Sequence, residues 1–174
     1  ERQIGARAGK GVVCLISNSS WLDSLSFTGM RERLLGVFDR VWIDNLNGDA
    51  YRTGKLTPDG RPDPSIFSTE KNREGIQVGT AIGLFVRGTQ KTAKVDYLDW
   101  WGLLKRVGLR EASVGPTPAY SSHAPVLALG LPFRPSCIAA GYLLWPRIPE
   151  LFPASFPGVK TSRDDFVVDI DRER

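Results

Sequence analysis

Histidine, cysteine and methionine are scarce in this sequence, whose 174 residues include one histidine, two cysteines and one methionine. A single imidazole, His123, and the absence of a Cys-x-x-Cys pair argue against a zinc site, so we predict no metal ligands. The two cysteines, Cys14 and Cys137, are too few for a disulfide framework. The sequence therefore predicts a reducing compartment, the cytoplasm.

A long hydrophobic run is also lacking. No apolar segment reaches the roughly 20 residues that a membrane-spanning helix needs, and no signal-peptide pattern begins the sequence. The net charge is only +4, from 23 basic and 19 acidic residues, which would tolerate a polyanion without indicating one. We expect a globular protein that does not contact a membrane.

The most distinctive segment is an apolar run that breaks abruptly into polar residues, GVVCLISNSSWL, beginning at Gly11. A continuous apolar run between Gly and Ser is typical of a strand buried on both faces, and we predict one at residues 11–17. In open α/β sheets, ligands bind beyond the carboxyl ends of strands, so Ser17, Asn18 and Ser19 are candidates for the rim of a pocket. The alternative is structural: Ser19 or Ser20 turns the chain, and one of them or Asp23 caps the element that follows.

The elements that follow alternate as in an α/β sheet. Apolar residues at helical spacing predict a helix over residues 26–38. A second amphipathic segment predicts a helix from Tyr97 onward. Further strands are predicted at residues 40–46, 76–86 and 166–170.

Two long connections separate these elements. Residues 47–74 are polar and rich in turn formers, and loops of this length are usually functional or disordered. Residues 113–135 are rich in proline, which predicts an irregular but ordered connection.

Five segments, taken in order, carry a resemblance to a known family: GVVCLISNSSWL from Gly11, MRERLL from Met30, VWIDNL from Val41, Ile66-Phe67, and GIQVGTAIGLFVR from Gly75. Together they resemble the second half of an adenine-specific DNA methyltransferase domain. The resemblance is closest to type ISP restriction-modification enzymes and related large modification enzymes. It continues to the end of the chain, where GVKTSRDD, from residue 158, resembles the passage to a target-recognition domain.

The resemblance implies an α/β fold with a partial mixed sheet. Its three strands would be a remnant of a seven-stranded Rossmann-like methyltransferase sheet, with the last strand antiparallel between the other two. Helices would flank the sheet, and an irregular C-terminal extension would follow. Residues 1–90 would belong to the catalytic domain, residues 91–135 would form a helix and a proline-rich connection, and residues 136–174 would lead toward target recognition.

Two motifs of that family do not occur here. One is the glycine-rich motif that binds S-adenosylmethionine, and the other is the Asn/Asp-Pro-Pro-Tyr/Phe motif that holds the adenine amino group. The resemblance therefore implies a fragment of an enzyme that transfers a methyl group from S-adenosylmethionine to the exocyclic amino group of adenine in DNA. We expect the fragment to have no catalytic residue of its own, to be inactive alone and to bind the cofactor weakly.

The resemblance also implies a role for one aromatic residue. In the family, an aromatic side chain just before the returning strand forms one face of the pocket for a flipped base, and Phe67 has the matching place. Stacking on a base contributes about 1–3 kcal/mol. In the alternative interpretation, Phe67 and Ile66 pin the long loop to the core. Tyr51 is the second candidate for stacking.

Seven basic residues are candidates for contacts with the DNA backbone: Arg52, Lys55, Arg61, Lys71, Arg73, Lys160 and Arg163. The first five share the long loop with five acidic residues, so the loop carries no net charge and a dedicated phosphate clamp is not indicated. A solvated surface is the alternative for all seven.

The fragment interpretation predicts an unpaired strand edge. If preceding strands are missing, one edge of the strand that begins at Gly11 and ends at Ser17 is bare, and bare edges pair with other chains. We therefore expect a homodimer, strand exchange or poor solubility.

Two other functional classes remain open. A non-catalytic DNA- or protein-binding module of a restriction-modification system would lack the same motifs. A hydrolase that uses Ser19 or Ser122 with His123 is the second, but no Gly-x-Ser-x-Gly elbow supports it.

Overall fold

The computed structural model describes residues 3–88 and 90–154. They belong to two compact units, Glu1–Cys137 and Ile138–Arg174. The described part of the second unit contains a 3-10 helix, Tyr142–Leu144, and a short α-helix. The predicted strand at residues 166–170, as well as Lys160 and Arg163, lies outside the described residues.

The first unit contains a π-helix, five strands and two α-helices longer than one turn. They are the π-helix Gln3–Ala8, β1 (Gly11–Asn18), α1 (Thr28–Val37), β2 (Arg40–Asn47), β3 (Thr80–Arg87), β4 (Val95–Asp99), α2 (Lys105–Val114) and β5 (Ser121–His123). The short helix of the second unit is α3 (Ile148–Leu151).

The five strands form one mixed sheet in the order β1-β3-β2-β4-β5. β3 is antiparallel to both of its neighbours, so β1 and β2 run parallel to each other on either side of it. β4 is parallel to β2, and β5 is antiparallel to β4. The predicted mixed α/β sheet is confirmed, including the returning strand between two parallel ones.

The sheet extends two strands beyond the three predicted. The prediction of a helix from Tyr97 is wrong for residues 97–99, which belong to β4, and α2 begins only at Lys105. Val95 and Tyr97 are buried, at a spacing of two residues, against β2. Pairing with β2 therefore gives residues 95–99 a strand conformation, although the apolar residues of this segment also suit helical spacing.

The core lies on one face of the sheet, under α1 and the 3-10 helix that follows β1. Trp21 is at its centre, with its ring 6.1 Å from that of Phe85 and 5.9 Å from that of Phe133. Phe133 comes from the proline-rich connection, and its N–H donates to the carbonyl of Leu22 at 2.7 Å. The buried apolar side chains of this core cluster are Trp21, Leu22, Val37, Phe38, Val41, Ile43, Ala81, Phe85, Val95, Tyr97 and Phe133.

β1 differs from the sequence prediction in its burial. The strand itself is confirmed, but it is not covered on both faces, since Val12 and Ile16 are 60% and 50% exposed and Cys14 is also exposed. Within the residues that the structure describes, β1 pairs with β3 alone. The face of β1 turned away from the core, and one of its edges, are therefore open.

A fully buried arginine on α1 ties three segments together. The Arg31 guanidinium donates to the carbonyls of Trp21 at 2.7 Å and of Ser24 at 2.9 Å, both after β1. It also donates to the carbonyls of Gly130 at 2.6 Å and of Leu131 at 2.9 Å, in the proline-rich connection. These bonds hold the segment after β1 in place over the sheet.

Candidate functional site at one edge of the sheet

The carboxyl ends of three strands define one edge of the sheet. β1, β2 and β4 are parallel, so Asn18, Asn47 and Asp99 lie at this edge, together with the first residue of the antiparallel β3, Thr80. The long loop at residues 48–79 leaves and re-enters the sheet here. This is the edge at which open α/β sheets bind ligands.

The predicted pocket-rim residues have structural partners at this edge. Ser17 Oγ accepts from the Trp21 indole N–H at 2.9 Å, and Asn18 Oδ1 caps the next turn by accepting from the Ser20 N–H at 3.2 Å. Ser19 is buried and donates its backbone N–H to the carbonyl of Gly79 at 2.7 Å. The cap of this turn is therefore Asn18, and not Ser19, Ser20 or Asp23 as the structural alternative predicts. A role at a pocket rim stays a prediction.

Two cavities are open near this edge. One, of about 310 Å³, lies between β1 and α1 and is lined by Ser17 and Asn18 together with apolar side chains that include Trp21 and Met30. The other, of about 570 Å³, lies between residues 57–62 and 101–104. Both volumes are within the range of small-ligand pockets.

The base of the long loop is closed by one carboxylate. Asp49 accepts from the N–H groups of Tyr51 at 2.8 Å, Arg52 at 2.9 Å and Gly79 at 2.9 Å. Burial by itself would raise the pKa of Asp49, but these donors and the Arg52 charge outweigh it and lower the pKa below its usual range. Asp49 is therefore an ionised acceptor that joins the end of β2 to the start of β3. Its only signal in the sequence is the Asn-Gly-Asp turn pattern.

Tyr51 and Arg52 follow directly on the same turn. Tyr51 is 80% exposed. Arg52 forms a bidentate ion pair with Asp23, with Nη1–Oδ1 and Nη2–Oδ2 distances of 3.0 and 2.8 Å, and Arg134 Nε lies 3.4 Å from the same carboxylate. Arg52 therefore links the loop to the segment after β1, and a phosphate would compete with Asp23 for it.

Phe67 occupies the apex of a β-turn. The Ser68 N–H donates to the carbonyl of Ser65 at 2.9 Å, which places Ile66 and Phe67 at the two central positions. The Ser65 hydroxyl accepts the Phe67 N–H at 3.3 Å. Phe67 itself is 42% exposed and is not one of the core side chains. The aromatic ring therefore does not pin the loop to the core, contrary to the alternative interpretation.

Ser65 and Gly48 attach this turn to the sheet. Ser65 is buried, and Gly48 follows β2 with a φ of +71°. A Cβ atom at Gly48 would lie 2.8 Å from the Ser65 Cα, a distance at which backbone must move. The close approach of the two backbones thus requires glycine at this position.

A buried ion pair anchors the loop from the other side. Lys105 Nζ lies 2.7 Å from Asp63 Oδ1, and the two side chains are 2% and 0% exposed. Lys105 also donates to the carbonyl of Leu46 at 2.6 Å, while Asp63 accepts from the N–H groups of Gly48 at 2.8 Å and Gly102 at 2.7 Å. Burial lowers the pKa of Lys105, and the Asp63 carboxylate opposes that shift. Neither residue was singled out by the sequence.

A polar cluster closes the end of β4. Asp99 Oδ1 accepts from Asn45 Nδ2 at 2.7 Å, Asn47 Nδ2 at 3.0 Å and the Tyr97 hydroxyl at 2.9 Å. Burial, reinforced by the Asp99 carboxylate, raises the pKa of Tyr97, so this phenol is protonated at physiological pH. The cluster fixes the ends of β2 and β4 relative to each other.

The other candidates for contacts with the DNA backbone differ in their surroundings. Lys55 Nζ donates to the carbonyl of Glu74, and Arg61 pairs with Asp59 at 2.6 Å. Lys71 and Arg73 are exposed on the same loop. The structure places Arg52 at the carboxyl edge, paired with Asp23, and Lys55 and Arg61 also have partners within the loop.

The predicted serine–histidine pairs are not assembled. His123 pairs with Val95 in β5, four strand positions from β1, so it is roughly 20 Å from Ser19 by the usual strand spacing. Ser122 points to the opposite face of the sheet from His123, and its hydroxyl donates to Asp96 instead. These positions argue against the hydrolase interpretation.

Neither a cluster of metal ligands nor a membrane-spanning helix occurs in residues 3–88 and 90–154. In that part of the chain, no three His, Cys, Asp or Glu side chains group as the ligands of an ion would. Nor does any helix there have the length and hydrophobicity to cross a bilayer. Cys14 and Cys137 are both free thiols.

Comparison with known proteins gives matches among solved structures alone. No protein-family model matches the chain, and no curated protein matches it. A nuclease-deletion mutant of the type ISP restriction-modification enzyme LlaGI, in complex with a DNA substrate mimic, is 26% identical with a TM-score of 0.53. The ATP-dependent type ISP restriction-modification enzyme LlaBIII, bound to DNA, is 22% identical with a TM-score of 0.52. The DrdV–DNA complex is 22% identical with a TM-score of 0.50.

The matches cover most of this chain but little of the other proteins. They include 70% of this chain for LlaGI and DrdV and 68% for LlaBIII. The same regions are 11%, 11% and 8% of the respective partners, so this chain spans about a tenth of their length. The chain is therefore similar in fold to a segment of type ISP restriction-modification enzymes, in agreement with the resemblance of its sequence.

Proposed function

We propose that this chain is part of a restriction-modification enzyme and forms the second half of its adenine-specific DNA methyltransferase domain. The observation that carries the proposal is the insertion of β3 antiparallel between β1 and β2, with the Phe67 turn placed ahead of β3 at the carboxyl edge. The similarity to LlaGI and LlaBIII, both described in complexes with DNA or a DNA mimic, supports DNA as the partner. With DNA as substrate and two free thiols, the proposed location is the cytoplasm.

The proposed contribution of this chain is to hold a base, while the methyl donor binds elsewhere in the enzyme. A base must leave the duplex before its amino group can react, and flat side chains then receive it. Phe67 would supply one such surface, and Ser17, Asn18 and Ser19 would lie at the rim. Tyr51 is the second stacking candidate.

In this proposal, the S-adenosylmethionine site lies outside the described residues. Carboxylates are the usual acceptors for ribose hydroxyls at this edge of a sheet. Three carboxylates at this edge, on Asp49, Asp63 and Asp99, each accept three hydrogen bonds from the protein, which supports a cofactor site elsewhere in the enzyme. In the proposed enzyme, S-adenosylmethionine supplies the methyl group, and no step is assigned to it within this chain.

Phe67→Ala tests the proposal directly. In the natural protein at its full length, we expect kcat/KM for methyl transfer from labelled S-adenosylmethionine to adenine in DNA to fall by about 5- to 150-fold, the equivalent of one lost stacking contact. Phe67→Trp keeps a flat ring and should retain most of the activity. Tyr51→Ala, measured in parallel, should change the rate by less than twofold.

The controls separate the possible results. If kcat/KM falls strongly in Tyr51→Ala and does not fall in Phe67→Ala, the stacking residue is Tyr51. A folded full-length protein that binds DNA and S-adenosylmethionine but transfers no methyl group would refute the methyltransferase proposal. The remaining function would then be a non-catalytic DNA- or protein-binding module.

We further propose that the open edge of β1 pairs two copies of this chain when it is produced alone. Val12 and Ile16 are exposed along this strand, and apolar edges without a charge favour strand pairing. Ile16→Lys should shift the chain toward monomer in sedimentation velocity, while Val114→Lys, at a still more exposed valine on α2, should not. A monomeric wild-type chain at high concentration would refute this proposal.

A further inference from the structure

α2 begins with two cationic side chains that differ in burial and in their hydrogen-bond partners. Lys105 is buried and paired with Asp63, whereas the next residue, Arg106, is exposed. Arg106 donates from Nε to the carbonyl of Ile66 at 2.6 Å and from Nη2 to the carbonyl of Ser68 at 2.7 Å. These two carbonyls belong to the residues on either side of Phe67.

These two hydrogen bonds, from Arg106 to the carbonyls of Ile66 and Ser68, form a bracket around the exposed ring of Phe67. The guanidinium is planar, and its two N–H groups point in fixed directions, so together they fix the distance and orientation of the two carbonyls. On the inner side of the turn, the Ser65 hydroxyl accepts the N–H of Phe67 at 3.3 Å. The peptide groups before and after Phe67 are therefore both held, although its side chain is 42% exposed.

The support for the bracket is rigid. The first residue of α2 is locked to Asp63 and to the carbonyl of Leu46, at the end of β2. Arg106 therefore extends from a helix whose start is fixed to the sheet. A turn that is held in this way enters a complex with its backbone already ordered, which reduces the entropy lost on binding.

We propose that Arg106 is a positioning residue, which holds the Phe67 turn so that the Phe67 ring is preorganised to stack on an unpaired DNA base. The inference rests on the proposed function, because it assigns the bracket to the same stacking site. Arg106 acts through Phe67 and does not touch the base.

A direct contact between Arg106 and a DNA phosphate would be a different role. It would contribute to overall DNA binding, which anisotropy measures, and lysine would keep its charge but not its two-pronged pairing with the phosphate. The bracket depends on the two-pronged geometry, which lysine lacks. Arg106→Lys therefore separates the two roles, and Arg106→Gln removes both the charge and the bracket.

The test uses a DNA duplex in which 2-aminopurine faces an abasic site, so that the probe base is already unpaired. Stacking on an aromatic ring quenches its fluorescence, and a dye at the far end of the duplex reports overall binding by anisotropy. The wild-type protein at its full length is compared with Arg106→Lys, Arg106→Gln and Phe67→Ala. Arg110→Gln, which removes another exposed arginine one turn along α2, is the matched control.

We expect Arg106→Lys to reduce the equilibrium constant for quenching about tenfold while the Kd from anisotropy changes less than twofold. Phe67→Ala should give the same pattern. Arg106→Gln should lose quenching and also bind DNA more weakly at low salt, and Arg110→Gln should keep full quenching.

Three results would overturn the proposal. If Arg106→Lys quenches like the wild type while Phe67→Ala does not, Phe67 stacks but Arg106 does not position it. If Phe67→Ala quenches like the wild type, the stacking role itself is wrong, and the inference falls with it. If Arg106→Lys lowers the thermal unfolding midpoint by more than a few degrees, Arg106 contributes to stability and is not specific to the turn.

Discussion

Arg31→Met is expected to lower the free energy of unfolding by about 4 kcal/mol. Methionine retains much of the volume and removes every donor, so the carbonyls of Trp21 and Gly130 are left buried without hydrogen bonds. A buried acceptor without a partner costs about 1–3 kcal/mol, and charged donors such as Arg31 make the stronger bonds. Loss of the Arg31 hydrogen bonds also frees the segment after β1, which lies over the core.

The measurement is denaturant unfolding followed by circular dichroism. Arg110→Met is the matched control, since it makes the same change at an exposed site on a helix of the same length, and it should alter stability by no more than about 0.5 kcal/mol. Arg31→Lys should fall between the two, because one ammonium group cannot reach all of the carbonyls. A loss below about 1 kcal/mol in Arg31→Met would mean that water replaces the guanidinium.

Lys105→Met is expected to destabilise the protein by about 3–5 kcal/mol. It leaves the Asp63 carboxylate buried with no opposite charge, and breaking a buried pair from one side is costly. It also removes the donor to the carbonyl of Leu46, at the end of β2. Because Asp63 holds the N–H groups of Gly48 and Gly102, the loop and the start of α2 should loosen together.

A double-mutant cycle with Asp63→Asn isolates the pair. Asparagine removes the negative charge, so Lys105→Met together with Asp63→Asn should cost clearly less than the sum of the two single changes. Chemical unfolding of all four proteins gives the coupling energy. If the two costs simply add, the charges do not stabilise each other, and the anchoring role of the pair is wrong.

Three of the five described strands were predictable, because each contains a run of apolar residues. β1, β2 and β3 are continuous or nearly continuous apolar runs, and their order with the helix between the first two indicated a mixed sheet. The limits of β1 and β2 agree with the predicted ones to within one residue. β3 begins at Thr80, several residues after the predicted start, because Gly75 and Gly79 belong to the loop.

What the sequence did not predict depends on contacts between distant segments. β4 owes its conformation to β2, some fifty residues earlier in the chain. Phe133 reaches the core from a proline-rich segment with no periodicity. Arg31 and Lys105 lie on helices, where charged side chains normally face solvent. Both are buried because they bind partners that are distant in the sequence, Gly130 and Asp63.

The closed base of the long loop has an evolutionary consequence. Asp49 binds the N–H of Gly79, and the Ala50 N–H donates to the carbonyl of Gln77 at 2.8 Å, so the loop leaves and returns through one short neck. Changes of length among the exposed residues 69–74, away from Asp63 and Ser65, need not reach the sheet, and doubling the length of a loop costs only about 0.6 kcal/mol in closure entropy. Homologous chains can therefore diverge in this loop by insertion and deletion, and acquire new surfaces there, while they inherit the sheet unchanged.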